Sequence, residues 1–254
     1  MRADNESRGT LIVTGGSRGI GAAISRLAAA QGYSVVVNFS EDDKAAAALI
    51  NEIKRSGGRS SAIRADVAIE TDVQYLFREA ERRLGPLTAL VNNAGITGGF
   101  ARVDSIKIEM LQRLLAVNVT GTILCSREAV RRLSTKHGGH GGGIVNISSR
   151  AAELGSPDEW VHYAASKGAV NTFTVGLARE VAREGIRVNA VAPGLVETDI
   201  HAAAGDPGRP AKLANTIPLG RAATPQEIAE AVIWVLSPAA SYVTGSILTV
   251  SGGR

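Results

Sequence analysis

Cysteine is nearly absent from this sequence. The single Cys125 has no partner for an intrachain disulfide, and with no C-x-x-C pair there is no thiolate framework for zinc. Aromatic residues are sparse at 4%, and neither sign of charge dominates, with 28 Lys and Arg against 24 Asp and Glu. The bases are interleaved with acids, as in REAERR at 78–83. That pattern describes a solvated helix face and excludes the aromatic-studded basic stripe that grips nucleic acid. The mild surplus of +4 suits an anionic cofactor. The N-terminal stretch MRADNESRG is polar and leads straight into a strand, with no apolar segment there long enough for a signal peptide or a membrane span. No export segment and no membrane partner are therefore expected, and reducing cytosol is the expected compartment.

What is present is a regular alternation. Short β-branched runs recur at 11–14, 34–38, 61–65, 88–92, 143–148, 186–192 and 246–250. Between them lie Ala-, Leu- and Glu-rich stretches at helical spacing, such as Val73, Leu76, Phe77 and Ala80. Strands alternating with helices predict a doubly wound α/β fold, its mostly parallel sheet covered by helices on both faces. No internal repeat or linker divides the 254 residues, so residues 1–254 are read as one domain. The glycine-rich patch HGGHGGG at 137–143 reads as a loop feeding the fifth strand. Its His137 and His140 lack the further ligands that a closed metal site needs, so no metal is expected.

Directly after the first run comes TGGSRGIG, Thr14 to Gly21, followed by a helical stretch. The loop Gly15, Ser17, Arg18, Gly19, Ile20 and Gly21 would let backbone N–H groups and a helix N-terminus approach a pyrophosphate. This predicts a dinucleotide site. The end of the second run reads VNFSEDD and lacks the carboxylate that would accept from a ribose 2′-hydroxyl. Asn38 and Ser40 stand there instead, with Arg18 as a nearby cation. NADP(H) is favoured, and NAD(H) stays open because Glu41 would supply a carboxylate if it turned inward.

In YAASKGA, Tyr163 and Lys167 are four residues apart and share one helix face. A cation about 4 Å from a phenol at an effective dielectric near 20 is worth about 4 kcal/mol, or about three pKa units before desolvation. The lysine is therefore expected to bring the phenol into working range for proton exchange.

Together TGGSRGIG, NNAG (92–95), VNVTG (117–121), NISS (146–149), YAASK (163–167) and VNAVAPG (188–194) resemble the short-chain dehydrogenase/reductase family along nearly the whole chain. The resemblance implies a Rossmann-type fold with a seven-stranded sheet and a catalytic tetrad of Asn118, Ser149, Tyr163 and Lys167. Ser148 adjoins Ser149, and a one-residue shift would select it. Asn118 is implied to support a water relay behind the lysine, and Lys167 to hold the nicotinamide ribose. Asp66 and Val67 are implied at the adenine; Asn93, Ala94 and Gly95 lie beside the cofactor. Pro193, Gly194, Val196 and Thr198 are implied to form the nicotinamide-facing segment. The C-terminal strand implies a homotetramer.

Residues 196–221 lack periodicity and read as a lid over a small-molecule carbonyl or alcohol substrate. Glu159, Trp160 and His162 are candidates for the pocket wall, with plain packing as the other reading for Trp160. Within the family the sequence is similar to glucose 1-dehydrogenase-like enzymes and to 3-oxoacyl-[acyl-carrier-protein] reductases. The long segment between Ser149 and Tyr163 favours a sugar or polyol. Docking of an acidic carrier would fall to Arg127, Arg131 and Arg132, which read equally as a helix face. A dinucleotide-sensing protein without turnover is the alternative outside enzymes; a degraded tetrad would be its mark.

Overall fold

The computed structural model describes residues 8–198, 202 and 204–254. Seven strands form one sheet: β1 (Thr10–Val13), β2 (Ser34–Phe39), β3 (Ser60–Arg64), β4 (Leu87–Asn92), β5 (Gly142–Ile147), β6 (Ile186–Pro193) and β7 (Ile247–Val250). Their order is β3-β2-β1-β4-β5-β6-β7, and every pairing is parallel. Each expected run is a strand, displaced by a residue at some ends.

Because side chains alternate along a strand, one run of apolar residues supplies two cores. Leu11, Val13, Val35, Val37, Val91 and Val145 face one side, where α1 (Gly19–Ala30), α2 (Asp43–Arg55) and a late helix cover them. Ile12, Val36, Leu90, Ile144 and Val188 face the other. There they meet α3 (Glu70–Leu84), the run α4 (Ile108–Leu115) to α5 (Thr122–Leu133), and later α7 (Val161–Val181). Full burial of each such Val, Leu or Ile is worth about 1.5–3 kcal/mol. Residues 108–133 are long and apolar enough to cross a membrane by length and composition. Here Leu114, Val117, Cys125, Ala129 and Leu133 of that run sit in the core.

Between α4 and α5 the helix widens into a π-turn over Ala116–Gly121, a distortion that often re-aims a side chain at a functional site. After β5 come the short α6 (Ala151–Leu154) and the 21-residue α7. After β6 the chain forms α8 (Arg209–Leu213) and then α9 (Pro225–Leu236), the late helix of the first core. A reciprocal Thr224–Glu227 capping box and Pro225 start α9. The strand order reverses direction between β1 and β4, and a crevice outside the carboxyl ends of the strands opens at such a switch point.

Candidate active site

The glycine loop lies at that crevice. Gly15, with φ +58, turns the chain out of β1, and α1 begins at Gly19. A Cβ on Gly21 would collide with the Gly15 carbonyl oxygen and with Asn93 Nδ2, so this crossing requires glycine. Asn93 Nδ2 donates to the carbonyls of Thr14 and Gly15, both at 2.9 Å. Thr14 Oγ1 in turn accepts from the N–H groups of Asn93 and Ala94. The first turn of α1 holds no acid, and Arg18 at its N-cap makes no side-chain cap. The helix therefore presents free N–H donors and a positive dipole end, which fits a pyrophosphate. Ser17 stands half-exposed in this turn, while Ile20 packs against the core.

Asn38 is placed differently from its expected role at the ribose. It is buried: its Oδ1 accepts from Gly15 N at 3.2 Å, and its Nδ2 donates to Ala65 O at 2.9 Å and to Ile63 O at 3.4 Å. Its amide is thus consumed in holding the glycine loop to β3. Ser40 is exposed, and so is Glu41. Arg18 is joined there by Arg64, whose Nε donates to Ser40 O at 2.9 Å. The two guanidiniums reach Asp42 and Asp43 only at 3.9 and 3.8 Å, and both are mostly exposed. Arg64 escaped the sequence reading because only the β2–β3 register, which pairs Phe39 with Arg64, brings it to this point. Asp66 accepts from Ala68 N and pairs with Arg113 at 2.8 Å, and Val67 is packed into the core against Gly121.

Tyr163, Lys167, Ser149 and Asn118 converge beside this loop. The Ser149 hydroxyl faces the phenol. Ser148 turns the other way, donating to Asn171 Oδ1 at 2.5 Å and to Lys167 O at 3.4 Å. The geometry thus separates the two serines and puts Ser149 at the tyrosine. Lys167, 4% exposed, donates from Nζ to Ile147 O at 2.7 Å. Asn118 in the π-turn exchanges hydrogen bonds with Ile96 and donates to Ser166 Oγ at 3.0 Å. Ser166 donates to Tyr163 O, a link the sequence reading missed. The Asn118 amide is thus committed within the chain. Gly95 closes the group, its Cβ position lying 3.3 Å from Asn118 Oδ1 and 3.5 Å from Lys167 Nζ.

The electrostatics correct one expectation. Burial raises the Tyr163 phenol above its ordinary value, with Ser149 opposing the shift, and Lys167 does not reverse it. Burial pushes Lys167 itself down to about 8. The ammonium lies 5.7 Å from the centre of the tyrosine ring and is directed at a carbonyl. Desolvation of both groups outweighs the attraction anticipated from their spacing.

The residues expected to face the nicotinamide begin at the end of β6. Pro193 O accepts from Arg150 N, Gly194 N donates to Val250 O, and Val196 bridges Ala223. Thr198 approaches Gly19, so the segment meets the glycine loop. Residues 199–201 and 203 of the expected lid lie outside the described residues. The rest includes α8, and a cleft of about 450 Å³ is lined by Thr198, Pro210, Ala211 and Arg221 among others. Trp160 is buried, stacked on Phe100 and edge-on to Tyr163 at 6.1 Å. Glu159 holds Arg209, and buried His162 contacts Thr97 O at 3.1 Å. Arg127, Arg131 and Arg132 converge on Glu128, whose side chain is 5% exposed, with Glu70 and Glu81 beside them. Cys125 is buried with its thiol pushed up to about 12, which leaves it inert. Among the described residues no His, Cys, Asp and Glu group is arranged to hold a metal.

Residues 15–254 match the family model described as Enoyl-(Acyl carrier protein) reductase. The chain is 48% identical over 243 residues to the uncharacterized oxidoreductase YgfF of Escherichia coli, covering 96% of this chain and 98% of that one. It is 37% identical to glucose 1-dehydrogenase 2 of Bacillus subtilis, with 96% and 93% covered. To a 3-oxoacyl-[acyl-carrier-protein] reductase of Synechocystis it is 38% identical, with 95% of each covered. A blue fluorescent protein from a metagenomic library, solved in complex with NADPH, superposes with a TM-score of 0.89 at 34% identity, covering 98% of this chain and 99% of that one. With the glycine loop at the switch point and the tyrosine–lysine helix beside it, the chain belongs to the short-chain dehydrogenase/reductase family of oxidoreductases.

Proposed function

We propose that this protein is an NADP(H)-dependent oxidoreductase interconverting a carbonyl and a secondary alcohol, with Tyr163 as general acid and base. The observation that carries the reading is the convergence of Ser149, Tyr163, Lys167 and Asn118 beside the glycine loop. When bound, the nicotinamide dinucleotide supplies the hydride chemistry. Residues 15–21 would hold its phosphates, and Arg18, Ser40 and Arg64 its 2′-phosphate. Asp66 would serve the adenine; Asn93, Ala94, Gly95, Pro193, Gly194, Val196 and Thr198 would flank the nicotinamide. The NADPH complex of the superposing structure supports the choice of nucleotide.

The raised phenol keeps its proton at neutral pH, which suits donation to a carbonyl oxygen during reduction. Ser149 donates to the same oxygen as charge develops there. Lys167 stays largely protonated at neutral pH and places a positive charge behind the tyrosine. The substrate is a small carbonyl or alcohol, with sugars and polyols the first class to screen. Neutralisation of Arg127, Arg131 and Arg132 by Glu128, Glu70 and Glu81 argues against an acidic carrier docking at that helix. The residue 196–221 lid, the homotetramer and the cytosolic setting belong to this proposal as well.

The test is Tyr163→Phe. Turnover of any active carbonyl or alcohol should fall by about 10²–10⁴-fold, the usual share of general acid–base catalysis, while NADPH affinity stays unchanged. Retained turnover would remove Tyr163 from the mechanism. A wild-type protein that binds NADPH but turns over no ketone, sugar, polyol or acyl thioester would favour the sensing alternative.

A further inference from the structure

Arg209 is an unusual residue to find covered. It opens α8 in the stretch between β6 and α9, yet it is only 9% exposed. Its guanidinium lies 4.7 Å from the Trp160 ring centre and 5.5 Å from that of Phe100, two rings stacked on each other at 4.8 Å. Both terminal nitrogens engage the Glu159 carboxylate, NH1 to Oε1 at 2.8 Å and NH2 to Oε2 at 2.5 Å. A bidentate, ring-stacked guanidinium is the arrangement in which lysine cannot replace arginine.

The surroundings give this clamp a purpose. The base of the stretch is fastened by a small apolar cluster of Leu195, Ile217 and Ala222 and by Leu219 N donating to Gly252 O. Across the site, Ala101 N donates to Glu159 O, tying the loop after β4 to the one before α7. Among the described residues, apart from the local backbone bonds Gly205 N to Ala202 O and Ile217 N to Ala214 O at its two ends, every hydrogen bond leaving the stretch 204–216 for the rest of the chain runs from Arg209 to Glu159. The wall it grips stands against Tyr163 through Trp160.

We propose that Arg209, paired with Glu159 over Trp160 and Phe100, is a latch fastening residues 204–216 across the Tyr163 pocket. It is a positioning residue: its contacts are Glu159, Trp160 and Phe100 rather than the four groups placed at the chemistry, and it sets how firmly the cover holds substrate against them. The inference rests on the assignment of Tyr163 as the reacting group only for its kinetic consequence; the closure itself does not depend on it.

The sequence contains two tryptophans. Trp234→Phe therefore leaves Trp160 as the sole indole and a reporter of the latch. In that background Arg209→Ala and Glu159→Gln should each raise acrylamide quenching of Trp160 severalfold in the protein without added ligand. Arg209→Lys should fall between them and the parent, and the double variant should show little beyond either single one. If Arg209→Ala does not fold by circular dichroism, Glu159→Gln and Arg209→Lys carry the same comparison. On a substrate that the wild type turns over, KM should rise about tenfold with kcat changed far less, the split expected when ground-state holding is lost. Quenching unmoved in Glu159→Gln and Arg209→Lys would overturn the latch. Absence of turnover in the wild type would instead overturn the oxidoreductase reading and leave the quenching comparison standing.

Discussion

Lys167 Nζ donates to the Ile147 carbonyl at 2.7 Å while standing 5.7 Å from the centre of the Tyr163 ring. The ammonium is thereby anchored to the end of β5, and burial lowers its pKa from 10.5 to about 8. Between those values the unfolded chain holds a proton that the folded chain has released, so this group's contribution to stability rises with pH across the window. Below about pH 8 a roughly constant cost of about 3 kcal/mol remains, the equivalent of the shift. Lys167→Met lacks it. The unfolding free energy of the wild type relative to Lys167→Met, followed by urea denaturation from pH 7 to 9.5, should therefore climb with pH. Tyr163 does not disturb this comparison, because its raised pKa leaves it neutral throughout the range. A flat difference would mean that the lysine is solvated in the folded protein.

The two adjacent serines should separate cleanly. Ser149→Ala removes the hydroxyl facing the phenol and should lower kcat/KM by about 10²-fold, the cost of losing one donor at a developing oxyanion. Ser148→Ala removes a buried bond to Asn171 and should cost about 1 kcal/mol of stability, with kcat/KM little changed. Steady-state kinetics and thermal unfolding on both variants check this. The reverse pattern would mean that the segment after β5 is shifted by one residue in the working enzyme.

Much of this architecture was legible because it depends on local periodicity. β-Branched runs such as Leu11 to Val13 can be buried on both sides only in a covered parallel sheet, and Tyr163 and Lys167 must share a face once their helix forms. What stayed hidden depends on how distant segments meet. Asn38 looked like a nucleotide selector from its place at a strand end, but β3 and the glycine loop take up its amide. Spacing likewise gave the proximity of Tyr163 and Lys167 but not the burial that sets their ionisation. Arg209 lies in a stretch without periodicity, and its partners are 50 residues away in Glu159 and farther in Phe100.

Nucleotide choice should respond to the cations. Arg18 and Arg64 are mostly exposed and only loosely paired with Asp42 and Asp43, so both remain available to a phosphate. Arg18→Gln and Arg64→Gln should each weaken NADPH binding by about tenfold, equivalent to about 1.4 kcal/mol for a charge-assisted contact, while NADH binding holds steady. Calorimetric titration of both nucleotides measures it, and equal losses for the two would place these arginines away from the 2′-phosphate.

Asn38→Asp is the substitution that a reading of the strand end alone would choose to convert the protein to NAD(H). The hydrogen bonds predict another result. The Asn38 Nδ2 donates to Ala65 O and Ile63 O, and a carboxylate oxygen in its place would face those carbonyls with no proton to offer. The residue is 2% exposed, so water cannot relieve the conflict. A buried charge lacking a donor on one side costs about 2–4 kcal/mol, and the carboxyl would take up a proton to escape it. Asn38→Asp should therefore lose that much stability near neutrality and recover part of it as the pH falls and the carboxyl protonates. The glycine loop, still held through Gly15 N, should bind both nucleotides less tightly rather than exchange one for the other. Urea denaturation from pH 5 to 8, with titrations of NADPH and NADH, decides the matter. A stable variant with tighter NADH binding would show that position 38 faces the ribose after all.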